Sequence, residues 1–173
     1  IHGELSDQSM AALSRQSDLI TILADGQFWQ AEASSAWQQV GGDIGGEATG
    51  DASGSGLALS SDGQTVAIGA LYNDGNGDAS GHVRIYRLDG SGQWAKLGGD
   101  IDGEAEVDLA GRENSVSLSS NGNIVAIGSY QNDNGGGANN AGHVRIYQLN
   151  SEDEWEQLGS NINGEASGDE SGI

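Results

Sequence analysis

Apolar and polar residues alternate over short stretches through most of this chain, and turn-forming residues separate the stretches. In the run HVRIYRL, a period of two places Val83 and Ile85 on one face of a strand and Arg84 and Tyr86 on the other. Gly, Asn and Asp dominate the intervening segments, as expected of tight turns. The pattern therefore predicts β-strands joined by short connections.

The strands belong to a tandem repeat. The hexapeptide GHVRIY occurs at residues 81 to 86 and again 61 residues later, and VAIG also occurs twice. A longer segment occurs three times, as WQQVGGDIGGEA from Trp37, WAKLGGDIDGEA from Trp94 and WEQLGSNINGEA from Trp155. The Trp spacings of 57 and 61 residues give the period of the repeat.

Each repeat contains four predicted strands. The first, SGLALSS or SVSLSS, ends at Asp62-Gly63 or Asn121-Gly122, pairs that favour a two-residue type I′ hairpin turn. TVAIGA or IVAIGS follows, then a polar loop, then HVRIYRL or HVRIYQL, and finally the Trp segment. Four antiparallel strands are typical of a β-propeller blade. The predicted fold class is therefore all-β, built from four-stranded propeller blades.

The repeats also predict the domain organisation. The last strand of a preceding blade is expected at residues 37 to 44, with blades at about 54 to 104 and 111 to 165. Propellers contain about four to eight blades, so two do not close a ring. We expect either that the native protein continues past Ile173 or that several copies, for example a homotrimer, pool their blades. The break within a repeat favours the longer chain.

Residues 1 to 36 do not match the repeat. The stretch SDQSMAALSRQSDLITILADGQ is predicted to form a helix that begins at Ser6 or Asp7 and ends at Asp25-Gly26. This helix would either make a short coiled-coil contact between chains or pack on the side of the first blade. The residues at a and d spacing are Met10, Leu13, Ser17 and Ile20.

The charge of the chain restricts its partners. Twenty-six acidic residues against six basic ones give a formal net charge of −20, which repels nucleic acid and anionic lipid. Without cysteine there are no disulfides or cysteine-based metal sites, and no apolar run approaches the roughly 20 residues that span a bilayer. The acidity suits an extracellular location in salt or calcium, or it serves only to keep a glycine-rich protein soluble.

The run SGLALSSDGQTVAIGALYNDGNGDASGHVRIY resembles the FG-GAP repeat of integrin-α-type β-propellers. The W-QLG-DI-GEA units are also similar to those of acidic surface and phage tail-fibre-like proteins, which implies adhesion or host recognition. FG-GAP blades usually carry a calcium loop between their first and second strands. Here that connection is the short Asp62-Gly63 or Asn121-Gly122 turn, so calcium is not expected there.

The candidate metal site lies instead in the loop NDGNGD. Asp74, Asn76 and Asp78 offer oxygen ligands at alternate positions, as calcium prefers, although a plain loop of turn formers has the same composition. The second copy reads NDNGGG and keeps only Asp133 with asparagines. We therefore expect calcium as the only cofactor, if any is bound.

Several polar residues recur in every copy, and recurrence indicates a role in the repeat more than in catalysis. His82 and His143 are equivalent, and Arg84 and Arg145 are natural partners for carboxylates on a neighbouring strand or blade. Trp94 and Trp155 are expected to pack between blades. The recurring carboxylate pairs are Glu47/Asp51, Glu104/Asp108 and Glu165/Asp169.

No nucleophile, metalloprotease, phosphate-loop or cofactor motif is present, so the chain is not expected to be an enzyme. The leading hypothesis is a surface or virion β-propeller module that binds a protein or glycan receptor on a cell surface. The alternatives are an architectural fibre subunit that assembles through residues 1 to 36, and an accessory domain of a larger secreted hydrolase.

Overall fold

The chain divides into two compact units, residues 1–39 and 40–173, and its first two strands belong to the N-terminal unit. In the computed structural model, which describes residues 20–22, 28–30, 37–133 and 139–173, β1 (Ile20–Ile22) pairs antiparallel with β2 (Phe28–Gln30). The predicted helix is therefore wrong at residues 20–22, and its other residues lie outside the described part of the chain. Ile-Thr-Ile is a β-branched run, and the intervening Asp25-Gly26 is a hairpin signal as well as a helix stop.

The second unit contains two antiparallel sheets, one in each repeat. The first has the order β3-β4-β5-β6 with β7 also paired to β5, and the second has the order β8-β9-β10-β11 with β12 also paired to β10. The described residues contain strands and no helix, so the all-β prediction is confirmed; they do not form a closed ring. The strands are β3 (Ser53–Leu59), β4 (Thr65–Ala70), β5 (His82–Leu88), β6 (Trp94–Lys96), β7 (Ile101–Asp102), β8 (Val116–Leu118), β9 (Ile124–Ser129), β10 (His143–Leu149), β11 (Trp155–Gln157) and β12 (Ile162–Asn163).

The Trp segment forms an interrupted fourth strand. In the first copy β6 pairs with the end of β5, with Leu88 opposite Trp94, whereas β7 pairs with its start, with Val83 opposite Ile101. Between these pairings the register shifts, and Gly98 there has a φ of 73°, which favours glycine. The second copy repeats this arrangement with β11 and β12.

Residues 37–44 do not form the predicted strand, since no strand lies between residues 37 and 52. In the complete copies the Trp segment is a strand because it hydrogen-bonds to β5 or β10. Within residues 40–173 the first such partner, β5, already pairs with its own Trp segment. The sequence WQQVGGDI therefore has the pattern of a strand, but within residues 40–173 no described third strand pairs with it.

The predicted hairpins between the first and second strands are confirmed, but the predicted turn type is wrong. Gly63 N–H donates to the Ser60 carbonyl at 2.9 Å, and Gly63 has a φ of 70°. Asp62 is not among the residues with positive φ, so this is a type I turn followed by a left-handed glycine. The Asp62 carboxylate accepts from the Ser60 hydroxyl and the Gln64 amide, which favours the longer connection.

The hydrophobic core lies between the two sheets. It combines Val83 and Ile85 of the first sheet with Val125 and Ile127 of the second, all fully buried. The predicted alternation is confirmed, because Arg84 lies on the opposite face of β5, with its guanidinium 5.8 Å from the Tyr86 ring centroid.

Among the described residues, no helix is long and apolar enough to cross a membrane.

Glycine in the VAIG motif permits close packing between copies. A Cβ atom at Gly69 would overlap the carbonyl oxygen of Gly111, and one at Gly128 would overlap that of Gly172. A backbone segment after the Trp strand therefore runs directly over the second strand of each copy. No larger residue fits at these two positions without moving the segment.

Candidate functional site

Polar side chains of the third strand reach the preceding Trp segment in both copies. In the first copy Arg84 Nη2 donates to the Gly45 carbonyl at 3.0 Å, and in the second Arg145 Nη2 donates to the Asp102 carbonyl at 2.6 Å. Gly45 and Asp102 are equivalent positions of the repeat. The two arginines thus make the same contact, one repeat apart. We call the surroundings of His82 and Arg84 the first junction, and those of His143 and Arg145 the second junction.

A recurring glutamate completes each junction. At the first, Glu47 lies 3.4 Å from Arg84 Nη1 and 3.9 Å from His82 Nδ1. At the second, Glu104 lies 3.9 Å from Arg145 Nη1 and 3.7 Å from His143 Nδ1. The expectation that these arginines pair with the recurring carboxylates is therefore confirmed.

Both histidines are buried. The side chain of His82 is 2% exposed and that of His143 is 0% exposed. Burial lowers the pKa of His82, an effect that the carboxylate of Asp100 opposes, and burial lowers the pKa of His143, an effect that Glu104 opposes. Nε2 of each ring has no hydrogen-bond partner. Nδ1 of His143 also has no hydrogen-bond partner.

The first junction carries additional carboxylates. Asp102 Oδ1 lies 4.0 Å from His82 Nδ1, and Lys96 Nζ lies 2.6 Å from Asp100. Oxygen or nitrogen atoms of Glu47, His82 and Asp100 all lie within 4.8 Å of one another. Mutual repulsion adds to burial here, since the pKa of Asp102 is raised by its burial and, in part, by Asp100 and Glu47, against the opposing effect of His82.

Amides replace these groups at the second junction. Asn161 and Asn163 occupy the positions of Asp100 and Asp102, and Gln157 occupies that of Lys96. Asn161 Nδ2 lies 3.3 and 3.2 Å from the two carboxylate oxygens of Glu104, and Gln157 Nε2 donates to Asn161 Oδ1 at 2.8 Å. The second junction is therefore held by hydrogen bonds between amides and a single carboxylate.

The recurring aspartates accept hydrogen bonds from backbone amides and from asparagine side chains. Asp108 Oδ2 accepts from the amides of Glu104 and Ala105, each at 2.9 Å, and from Asn132 Nδ2 at 2.9 Å. Asp51 accepts from Asn73 Nδ2 in the first copy, and Asp169 accepts from the Ala166 amide in the last segment. These contacts confirm the structural role expected of the second carboxylate in each pair.

The predicted calcium ligands lie in a loop that is well supplied with internal hydrogen bonds. Asp74 Oδ1 accepts from the Ala79 amide at 2.9 Å, and Asn76 Nδ2 donates to the carbonyls of Gly103 and Glu104. Asp78 is exposed, and its carbonyl accepts from the Val107 amide. In the second copy Asp133 Oδ1 accepts from the Asn140 amide. Calcium binding in this loop stays a prediction.

Sequence reasoning did not select Asp100 and Asp102. The three Trp segments read GGDIGGE, GGDIDGE and GSNINGE, so Asp100 recurs as Asp43, and Asp102 alone is an acid in a single copy. An acid that recurs indicates a structural role, whereas an acid in one copy only is the pattern expected of a local site. The Trp segment was interpreted for its strand and its Glu, so this difference was overlooked.

No protein-family model matches the sequence, and no curated protein matches it. Among the solved structures that match is the periplasmic gluconolactonase PpgL of Pseudomonas aeruginosa. The two share 19% identity and a TM-score of 0.38, and the match covers 62% of this chain and 28% of the other. The chain thus spans less than a third of that protein.

This similarity contradicts the expectation that the chain is not an enzyme, because the similar structure is named as an enzyme. We withdraw that expectation. With 19% identity and a TM-score of 0.38, the similarity does not assign a reaction or a substrate to this chain.

Proposed function

We propose that this chain is part of an FG-GAP-like β-propeller that acts as a recognition module outside the cell or on a virion and binds a protein or glycan receptor. The observation that carries this proposal is that hydrogen bonds anchor the ends of the loops between the second and third strands in the same way in both copies. Binding residues are commonly placed on loops that a rigid scaffold positions. The net charge of −20 further favours a partner other than nucleic acid or anionic lipid.

Each of these loops is hydrogen-bonded to the segment that follows the Trp strand. Gly81 also forms an isolated parallel bridge with Ala110, and Gly142 forms one with Ser171. In the first copy backbone amides of residues 103 to 110 donate to carbonyls of residues 78 to 81, and in the second those of residues 164 to 171 donate to residues 139 to 142. The loop ends are therefore anchored in the same way in both copies.

Tyr72 is the exposed aromatic residue of the first of these loops, with 52% of its surface accessible. Aromatic side chains on a rigid loop contribute strongly to binding of proteins and sugars. The second copy carries Gln131 at the equivalent position. Tyr72→Gln is therefore a substitution that the repeat itself tolerates.

The test is a binding screen with the labelled chain against a glycan panel and intact cells. We expect saturable binding that Tyr72→Gln weakens by about tenfold without changing the melting temperature. The matched control, Tyr86→Phe, alters a tyrosine on β5 and should leave binding unchanged. The proposal would be refuted if neither this chain nor the natural protein that contains it binds any glycan or cell type.

Apolar residues of the second copy are exposed where the equivalent residues of the first copy are covered, which favours further assembly. Leu97 and Ile101 are 9% and 5% exposed, whereas the equivalent Leu158 and Ile162 are 51% and 55% exposed. The second copy covers Leu97 through Trp155, whose indole donates to the Leu97 carbonyl. We propose that a further blade, from a longer chain or a second copy, covers Leu158 in the same way. Native mass spectrometry of the natural protein distinguishes these sources, and a strict monomer of this length would contradict both.

A further inference from the structure

We propose that the second copy of one molecule docks onto the first copy of a neighbouring molecule of this same chain, in the arrangement that joins the two copies within one molecule. The interface within the molecule is the core between the two sheets. Each side of that interface has an uncovered equivalent elsewhere in the chain. The docking rests on the propeller proposed above, because it adds blades to it, and it is heterologous, since two different faces meet.

The side of the second copy that points away from the first copy is largely uncovered. In the first copy Val83 and Ile85 are completely buried under the second copy, whereas the equivalent Val144 and Ile146 are only partly buried. Leu158 extends this side as an exposed residue. We call this side the outer face, and it consists of Val144, Ile146, Leu158 and Ile162.

The opposite side of the first copy is uncovered as well. On this side Leu57 lies opposite Ile68, which lies opposite Arg84. Val116 occupies the position of Leu57 in the second copy, where the first sheet covers it. Leu57 is 65% exposed and Val116 is 8% exposed. We call this side the inner face, and it consists of Leu57, Leu59, Val66 and Tyr86.

The third Trp segment keeps the polar groups with which the other two segments bind the following copy. Each of those two segments offers a carbonyl to a tryptophan indole, a second carbonyl to an arginine, and a glutamate beside that arginine. The equivalent groups of the third segment are the carbonyls of Leu158 and Asn163 and the carboxylate of Glu165. In the docked pair, Trp94 and Arg84 of the neighbouring molecule would bind these groups.

Residues 40–48 cover part of the inner face within each molecule. The carbonyls of Val40 and Gly45 accept from Trp94 and Arg84. Residues 40–48 form no strand, and Val40 is exposed. A neighbouring molecule would displace them and replace both hydrogen bonds one for one. It would also bury apolar residues of both faces, so the exchange favours docking.

The net charge of −20 per chain opposes association, but salt at about 0.15 M screens charges beyond about 8 Å. Contacts within the interface are then decisive, and they include Glu165 of one molecule against Arg84 of the other. Because the same step repeats from molecule to molecule, the assembly closes when the ring is complete. A ring of about four to eight blades corresponds to about two to four chains.

The experiment is sedimentation velocity over a range of concentrations at about 0.15 M salt. The wild type should convert from monomer to one larger species of about two to four chains. The outer-face variant Leu158→Glu/Ile162→Glu and the inner-face variant Leu57→Glu/Leu59→Glu change exposed residues, so both should keep the wild-type melting temperature. Each should self-associate at least about tenfold more weakly than the wild type.

Mixing the two variants tests the pairing of the faces. One intact outer face then meets one intact inner face, so an equimolar mixture should form a heterodimer and nothing larger. Val107→Glu is the control for added charge, because Val107 is exposed but belongs to neither face. It should associate like the wild type.

The proposal is overturned if either face variant associates like the wild type or if the mixture forms no heterodimer. A wild type that stays monomeric at every concentration would also overturn it, and would assign the outer face to a following repeat of a longer chain. Tyr72→Gln should weaken receptor binding and leave sedimentation unchanged. Failure of the recognition function is thereby distinguished from failure of the docking.

Discussion

The indole N–H of Trp155 donates a hydrogen bond of 2.9 Å to the backbone carbonyl of Leu97. Leu97 lies three residues after Trp94, so the bond joins the fourth strands of successive copies. Trp94 makes the same 2.9 Å bond to the carbonyl of Val40, one repeat earlier. In both complete copies the tryptophan therefore hydrogen-bonds to the preceding copy.

Replacing Trp155 with Phe tests this contact. The ring would still pack against the core, but the Leu97 carbonyl would lose its donor, which should reduce the free energy of unfolding by about 1 kcal/mol. Trp155→Ala should cost about 3 kcal/mol, since it also removes the packing. Urea denaturation measures both values, and equal stability of Trp155→Phe and the wild type would show that the hydrogen bond contributes nothing.

Adding one methyl group to the VAIG glycines should be severely destabilising. Gly69→Ala and Gly128→Ala would each force a Cβ into a backbone carbonyl, at an expected cost of about 2 to 4 kcal/mol. Gly99→Ala is the matched control, because a Cβ there meets no atom within 4 Å. Thermal unfolding followed by circular dichroism should separate the two classes. Similar melting temperatures for all three variants would contradict the close approach of the segments.

Arg145→Lys retains the positive charge at the second junction but removes the guanidinium fork. Arg145 contacts both the Asp102 carbonyl and Glu104, and a lysine amine does not reproduce both contacts. We expect a loss of about 1 to 3 kcal/mol in chemical denaturation. The control is Arg112→Lys, which changes an arginine that makes neither contact. If both substitutions reduce the free energy of unfolding by the same amount, the two contacts of the Arg145 guanidinium do not contribute specifically to stability.

Stability should decrease in mild acid because of His143. Burial lowers its pKa, although Glu104 and Asp108 oppose this effect and Arg145 supports it. In the unfolded chain the imidazole titrates near its ordinary value of about 6.5. Below that pH the unfolded state binds more protons than the folded state, so the free energy of unfolding falls as the pH decreases.

The measurement is the melting temperature of the wild type and of His143→Gln at pH 7.5, 6.5 and 5.5 in EDTA, values chosen about the ordinary pKa. We expect a smaller decrease for His143→Gln, because glutamine does not titrate. Parallel curves for the two proteins would show that His143 does not contribute to the pH dependence.

Local pattern was sufficient for the strands of the two complete copies. Alternation in HVRIYRL predicted its two faces, and the Asp-Gly and Asn-Gly pairs predicted the hairpins, because both features depend on a few neighbouring residues. The prediction failed where one sequence pattern is compatible with two different structures. Asp25-Gly26 was interpreted as a helix stop, although it separates β1 from β2. Residues 37–44 have the sequence of a strand but no strand partner in the part of the chain that the structure describes.

The sequence by itself determined the period of the repeat, the all-β class and the pairing of the recurring arginines with carboxylates, since these follow from spacing and residue type. Only the tertiary structure brought Glu47, His82 and Asp100 together, because they lie far apart along the chain and meet only when β5 pairs with the Trp segment and packs against the preceding one. Close approach at Gly69 was likewise decided by a segment about forty residues away. The distances in contacts between copies depend on how the sheets stack, and the pattern within one strand does not encode that geometry.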